Sequence, residues 1–274
     1  MRRFVGYIVT LSLVMPAWLL GGCTREDYPR SDELFSRSPI KHDDRLTMVR
    51  LNMSVVEVPL GWARDSAILW SLVNTDVTAM DEAVSLAANG IRVGVGKKED
   101  FHAIEDVLVD LSAQQYVPRT VPGVPGAPVP IIIQQHQEPR TIFLVHSDNT
   151  ISGLDYPPGN YILSMLFTLD PDGRTMTVTT VPQVESFHRR PVIEDEGNSA
   201  AIVRRADIYT LYPMTFQMRL VEGDFIVIGA SEHADRPTSI GQAFLIRNRA
   251  GVPVETLLLI TPEIITPKII RKGD

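Results

Sequence analysis

Large apolar residues at every second position mark the second half of the chain, and this pattern most restricts the folds open to it. Between residues 161 and 169 they are Tyr161, Leu163, Met165, Phe167 and Leu169. Between 212 and 220 they are Tyr212, Met214, Phe216, Met218 and Leu220. Because the side chains of a strand point alternately to its two faces, this spacing predicts strands with one buried face. We therefore expect a mainly antiparallel β domain, a sandwich or an open barrel, over residues 140–274.

Turn residues and charged stretches predict where the strands of this domain begin and end. The sequence "DPDG" at 170–173 predicts a hairpin turn, since Pro stands at its second position and Gly at its fourth. The charged stretch "HRRPVIEDEGN" at 188–198 predicts a loop. The aliphatic run 257–260 predicts a last strand that is buried on both faces and stopped by Pro262.

The segment 46–117 contains both the alternation typical of strands and the spacing typical of helices. Apolar residues alternate over 49–55, and the phase then slips by one residue at Val56, which predicts either a β-bulge or a more buried strand end. Helical spacing and one short strand complete the segment, with helices at 62–73, 80–89 and 97–113 and the strand at 91–96. We expect a small β-α-α-β-α domain, so that the fold class of the whole chain is α+β.

Proline and glycine crowd the stretch 118–139, which begins "PRTVPGVPGAPVP". No helix tolerates that density of residues that lack an amide hydrogen or a preferred backbone conformation. The stretch predicts a linker or an extended polyproline arm. It is the expected boundary between the domains at 46–117 and 140–274.

Cys23 is the only cysteine, so the fold must rest on its hydrophobic core and not on disulfides. With 44% hydrophobic and 22% charged residues the chain has a globular composition. Its formal net charge of −7 argues against a nucleic-acid partner, because such a partner requires a basic face.

The first 23 residues carry the clearest motif. Arg2 and Arg3 precede an uncharged run over 4–20, a pattern typical of a secretory signal. The run ends in Leu20-Gly21-Gly22-Cys23, which resembles the lipobox of bacterial lipoproteins, although Ala or Ser is commoner in the place of Gly21. In that family the peptide is cut before the cysteine and the thiol is diacylated. The resemblance therefore implies removal of residues 1–22 and lipidation of Cys23.

The same resemblance implies a location in the cell. Cleavage removes two arginines and no acid, so the formal charge falls from −7 to −9. The polar stretch 23–45 is then a flexible tether from the membrane to the folded part. Two or three acyl chains hold a protein firmly at a bilayer, whereas one holds it weakly. By the sorting rule of enterobacterial lipoproteins, Thr24 in place of Asp implies the outer membrane, facing the periplasm.

A second resemblance covers residues 239–267, about a tenth of the chain. The stretch "VETLLLITPEIITP" is similar to the C-terminal strand of bacterial secretins, the gated outer-membrane rings of export systems. The matching positions are Glu255, Leu257, Leu258, Leu259, Ile260, Thr261, Pro262 and Ile264, preceded by Ile240, Gly241 and Phe244. "MSVVEVP" at 53–59 is similar to a ring-building strand of that family. The paired Pro-x-Leu-Gly motifs of secretins are missing, and so are strands long enough for a gated barrel.

No pattern in the sequence predicts a catalytic, cofactor-binding or metal-binding residue. Gly94-Val95-Gly96 is similar to the start of a dinucleotide fingerprint, but Glu99 stands where the third glycine belongs, so a tight turn is expected. The six histidines include no pair at metal-binding spacing and are expected at the surface or in loops. Glu194-Asp195-Glu196 lacks the regular oxygen spacing of a calcium loop, and a solvated loop is expected there.

These observations favour a non-enzymatic envelope lipoprotein with a structural or assembly role at a secretin-like complex. Its expected partners are the membrane, through the lipid anchor, and an envelope protein or a second copy of the chain. The alternative is a periplasm-facing ligand-binding lipoprotein that uses a cleft between its two domains. A third hypothesis is that the protein is a hydrolase.

Overall fold

A computed structural model describes residues 47–111, 115–195 and 200–265. Cys23, the segment 1–22 and the tether 23–45 lie outside the described residues. The helices are α1 (Ala67–Ser71), α2 (Met80–Ala88), α3 (Phe101–Asp110) and α4 (Ile240–Leu245). The strands are β1 (Met48–Pro59), β2 (Ile91–Gly96), β3 (Gln115–Gly123), β4 (Pro128–His136), β5 (Arg140–Val145), β6 (Ile151–Tyr156), β7 (Gly159–Leu169), β8 (Thr175–Asp195), β9 (Ala200–Thr210), β10 (Phe216–Val221), β11 (Phe225–Ala230), β12 (Ile246–Arg249) and β13 (Val252–Ile265).

The strands form three open antiparallel sheets, and the predicted α+β class is confirmed. The first sheet has the order β2-β11-β13-β1-β3, with β12 also paired to β13. The second sheet has the order β10-β8-β7-β4, with β9 also paired to β8. Strands β5 and β6 form a small ribbon of their own. The predicted hairpin at "DPDG" is confirmed, since β7 and β8 pair on either side of it.

The first sheet is covered on both faces. One buried cluster joins it to the second sheet and includes Leu51, Ile226, Leu258, Tyr161 and Phe216. A second cluster fills its other face and joins Val56, Leu257 and Leu259 to side chains of α1 and α3, including Leu69 and Ile104. Residues 257–260 therefore point alternately into two cores, which confirms the strand predicted to be buried on both faces.

The phase slip at Val56 reflects burial and not a bulge. Strand β1 keeps one unbroken register with β13, from Met48 opposite Ile265 to Pro59 opposite Val254. The outer face of β1 is exposed at Asn52 but buried at Val56, because helices cover only the second half of that face. Apolar residues on both faces of this half hide the period of two.

The stretch 118–139 is not a linker, and this corrects the sequence prediction. It contains most of β3 and all of β4, which stand at the ends of the first and the second sheet respectively. A proline cannot donate a ladder hydrogen bond, so it is tolerated in a strand that has a neighbour on one side alone. Pro118 and Pro122 lie in β3, and Pro128 and Pro130 lie in β4.

Strand pairing also crosses the predicted boundary between 46–117 and 140–274. Strands β1 and β2 come from the first segment, and they pair with β13 and β11 from the second. The predicted order β-α-α-β-α is present, but its strands are completed by partners far along the chain. Hydrophobic periodicity does not specify which strands pair, and for that reason the sequence suggested two separate units.

Several element limits differ from the predictions. A series of turns precedes α1, which Ser66 caps by accepting from the amide of Leu69. Residues 212–214 form a single 3₁₀ turn before β10. Strand β13 continues past Pro262, at a point where β11 no longer pairs with it. The predicted loop 188–198 is largely strand, because β8 extends to Asp195 and β9 begins at Ala200.

Candidate docking surface

Strand β8 extends beyond the sheet to which it belongs. Its pairing with β7 ends where Gly159 meets Ser186, but β8 continues for nine residues, to Asp195. Over that length its partner within the described residues is β9 alone. We call the two-stranded extension, residues 187–195 and 200–207, the arm. At about 3.3 Å per residue it is roughly 30 Å long.

An irregularity marks the base of the arm. Glu185 pairs with Ile208, whereas the next pair is Arg189 with Ala206, so β8 carries two more residues here than β9 does. The amide of Phe187 donates instead to the carbonyl oxygen of Pro158. Such bulges bend a strand and increase its local twist.

The arm presents apolar side chains to solvent. Ile193 and Ile202 are paired across the two strands and are 72% and 75% exposed. Directly paired residues lie on the same face, so these two side chains form one apolar spot. Val192 and Val203 make the equivalent pair on the other face and are half-buried. An isolated two-stranded ribbon buries little apolar surface and is at best marginally stable in water.

Ion pairs support the arm along its length. Arg190 contacts Asp207 at 2.6 Å, and Arg205 pairs with Glu194. The two arginines are largely exposed and the two acids are partly exposed, and ion pairs that solvent reaches contribute between zero and about 1 kcal/mol each. The arm is therefore held in shape by weak contacts and is not fastened by a core of its own.

A smaller apolar patch lies on one face of the β5–β6 ribbon, where Phe143 and Ile151 are exposed. Asn89 fastens this ribbon to the body. Its side-chain amide donates to the carbonyl oxygen of Val145 and accepts from the amide of the same residue, both at 2.8 Å. Unlike the arm, the ribbon is tied down by a buried side chain.

The glycines of the fingerprint-like stretch are structural. Gly94 and Gly96 lie inside β2, not in a turn, which corrects the sequence prediction. A Cβ at Gly96 would lie 2.1 Å from the ring of Phe225, and one at Gly94 would lie 2.7 Å from Val73. Both positions are glycine because neighbouring side chains occupy the space of a Cβ.

The candidate polar residues of the sequence do not converge on one site. His102 is exposed on α3 beside Glu105, and His146 contacts Ser152. His136 is an exception to the expected surface position, because it is 5% exposed within β4 and contacts the carbonyl oxygen of Ala243. Burial lowers the pKa of His136. Glu194 lies on the arm and pairs with Arg205, not in a loop.

Two buried carboxylates were not singled out from the sequence. Glu57 on β1 contacts Arg247 and Arg249 of β12. Glu255 on β13 accepts from the backbone amides of Ala63 and Arg64 at 2.5 and 3.0 Å. Burial raises the pKa of Glu255, while those hydrogen bonds oppose the change. The available signal was a glutamate in the middle of an apolar strand.

Among residues 47–111, 115–195 and 200–265, no group of three or more histidine, cysteine or acidic residues is placed to hold a metal ion. Within the same ranges, no helix has the length and apolar character needed to span a bilayer.

No family model and no curated protein matches the chain. Among solved structures, one match is the Klebsiella pneumoniae type II secretion system outer-membrane complex of PulD, PulS and the PulC HR domain, at 9% identity and a TM-score of 0.23. It covers 81% of this chain and 38% of that one. Another is the Salmonella SPI-1 type III secretion injectisome secretin InvG, at 10% identity and a TM-score of 0.20, covering 84% and 66% of the two chains. This chain thus spans less than two thirds of the length of either solved chain. At such TM-scores the whole folds do not superpose.

Proposed function

We propose that this protein is an anchored component of the bacterial envelope whose role is structural, and that the arm is the element by which it docks to a protein partner. The exposed Ile193–Ile202 pair carries the proposal. A soluble protein gains nothing from a ribbon of about 30 Å that leaves such side chains in water, whereas a docking element has to present them.

The backbone of the arm suits the same role. Within the described residues β9 pairs with β8 alone, so its other edge offers unpaired amide and carbonyl groups. A partner strand added to that edge supplies main-chain hydrogen bonds, and the apolar pair supplies specificity. The flanking arginines and acids keep the free arm soluble and discourage promiscuous pairing of its edge.

The lipid anchor at Cys23 belongs to this proposal and comes from the lipobox resemblance. An anchor confines the protein to a plane and raises its effective concentration for partners in that plane. The secretin-like stretch 239–267 supports a place near an export complex, at the outer membrane facing the periplasm. Replacing Cys23 with Ala should abolish fatty-acid labelling and release the protein into the soluble fraction. Unchanged labelling would refute the anchor.

The docking role is tested by photo-crosslinking in intact envelopes. A photoreactive residue in place of Ile202 should give a discrete crosslinked protein, and Ile193→Ser in the same chain should remove that product. Val109 on α3 is the matched control, because it is also 75% exposed but lies away from the arm. An adduct of twice the chain mass identifies a second copy, and any other mass a different partner. The docking role is excluded if positions 202 and 109 give the same products.

A further inference from the structure

A cleft of about 630 Å³ opens between the end strands of the two large sheets. Strand β3 forms one wall, β4 the other, and β12 the floor. The polar side chains that line it include Arg119, Gln134, His136, Arg140, Arg247 and Asn248. No aspartate or glutamate of the described residues is among its lining side chains.

A β-bulge turns two of these polar side chains inward. Ile132 pairs with Ile162 and Gln134 with Tyr161, so Ile133 is an additional residue in β4. The bulge shifts the alternation by one residue, so that Gln134 and His136 are buried and Gln135 is exposed. Both then reach the end of α4, where carbonyl groups lack helical partners. His136 contacts the oxygen of Ala243 at 2.7 Å, and Gln134 donates to that of Ile246 at 3.3 Å.

Gln134 keeps one amide atom without a partner. The residue is 8% exposed, and its Oε1 has no hydrogen-bond partner among the described residues. His136 must donate from Nε2 to Ala243, yet the Nε2 of Gln134 lies 3.0 Å from the same nitrogen. Rotating the amide by half a turn would remove this contact between two donors, but it would break the hydrogen bond to Ile246 and set two oxygen acceptors against each other, so Oε1 remains the unpaired atom. An unpaired buried amide is costly unless a ligand completes it.

The charge of the cleft is positive on a protein that is acidic as a whole. Arg247 pairs with the carboxylate of Glu57, so the positive charge of the cleft comes from Arg119 and Arg140. Arg140 contacts a neutral group, the Oε1 of Gln242 at 3.4 Å, and Arg119 is an exposed residue of β3. A concave surface with charges of one sign concentrates counter-ions and charged ligands.

We propose that this cleft binds a small organic anion through its carboxylate or phosphate group. The planar guanidinium groups of Arg119 and Arg140 hold the oxyanion, since arginine donates two parallel hydrogen bonds to either kind of group. The unpaired Oε1 of Gln134 accepts from a hydroxyl or amino group where the bound molecule carries one. Ile132, which lines the cleft and is partly exposed, contacts the apolar part of the ligand.

Calorimetric titration of the full-length protein in detergent tests this site. Inorganic phosphate and succinate are the two probes, and sodium chloride at equal ionic strength is the blank. We expect one saturable site for at least one probe, and the stronger of the two identifies the group recognised. Arg119→Gln and Arg140→Gln should each weaken binding about tenfold or more, as expected for loss of a charge-assisted contact.

Arg204→Gln on the arm is the matched control, since it removes an exposed arginine outside the cleft and should leave affinity unchanged. Thermal unfolding of each variant shows whether it is folded, and the exposed Arg119 keeps the test valid if Arg140→Gln is unstable. The site does not exist if neither probe binds at up to about 10 mM. It is also overturned if Arg119→Gln and Arg140→Gln bind as tightly as the unaltered protein.

Discussion

Glu57 shows how much one buried charge organises at the scale of a residue. It is 1% exposed, and it holds two arginines of β12 against the first sheet. A carboxylate removed from water is tolerated when charged donors surround it, and it becomes costly when they are lost. Arg247 and Arg249 reach solvent, so they are less dependent on Glu57 than it is on them.

Glu57→Gln should lower the free energy of unfolding by about 2 kcal/mol, the scale of lost hydrogen bonds to charged groups. Glu263→Gln is the matched control, because that glutamate also pairs with an arginine of a neighbouring strand, Arg50, at 2.8 Å, but is exposed. Its loss should cost less than about 0.5 kcal/mol. Urea unfolding compares the two, and equal losses would contradict the role assigned to burial.

Glu255 predicts a dependence of stability on pH. Burial raises its pKa in the folded protein, so the folded state binds the proton more tightly than the unfolded state does. Its contribution is therefore most favourable below the unfolded pKa, about 4.3, and declines as pH rises to the folded pKa. The stability of the protein relative to Glu255→Gln should fall over that range. Urea unfolding at several pH values measures the difference, and a constant difference would exclude the effect.

Strand β13 is the element on which both cores depend. It pairs with β1, β11 and β12, and its apolar side chains enter the cluster between the sheets and the cluster below α1 and α3. A change within it affects both clusters at once. The first residue of the strand, Val252, is by contrast half exposed.

Leu258→Asp should leave the protein insoluble or readily digested by protease. A buried, unpaired carboxylate costs several kcal/mol, which is comparable to the whole stability of a domain. Val252→Asp places the same charge at the exposed start of β13 and should be tolerated. Limited proteolysis of the two variants gives the comparison. A stable Leu258→Asp protein would mean that β13 is not part of the core.

Elements defined by local rules were predictable, and those defined by distant partners were not. The β7–β8 hairpin follows from turn residues and alternation, and α2 ends before Gly90, whose φ of +89° suits the left-handed region. Strands β3 and β4 were missed because their prolines are acceptable only at a sheet edge, and an edge is a property of the assembled sheet. The cleft was missed for a similar reason, since its arginines come from separate strands.

At the scale of the whole molecule, a body with two cores carries an arm that belongs to neither. No described residue of the arm is a member of the buried clusters. The arm and the body should accordingly be separable, with stability residing in the body and docking in the arm.

Replacing residues 187–206 with Asn-Gly joins Ser186 to Asp207 through a two-residue hairpin turn. We expect the free energy of unfolding to change by less than about 1 kcal/mol, because the main loss is the hydrogen bond from Phe187 to Pro158. A crosslinker that reacts with any exposed amine should link the unaltered protein to its partner in the envelope and should give no such product with this variant. A collapse of stability in this variant would show that the arm is part of the folded core.

The pairing of β1 with β13 has a consequence for the order of events during synthesis. Arg50 and Glu263 meet across this ladder although 213 residues separate them, whereas β7 and β8 are joined by a short turn. Contacts between distant residues form slowly, because a long loop must close first. The second sheet can therefore assemble early, while β1 can pair with β3 but waits for β13, its second partner. During that interval one edge of β1 is unpaired and both faces of its second half are apolar, which makes this strand a segment that a chaperone would protect.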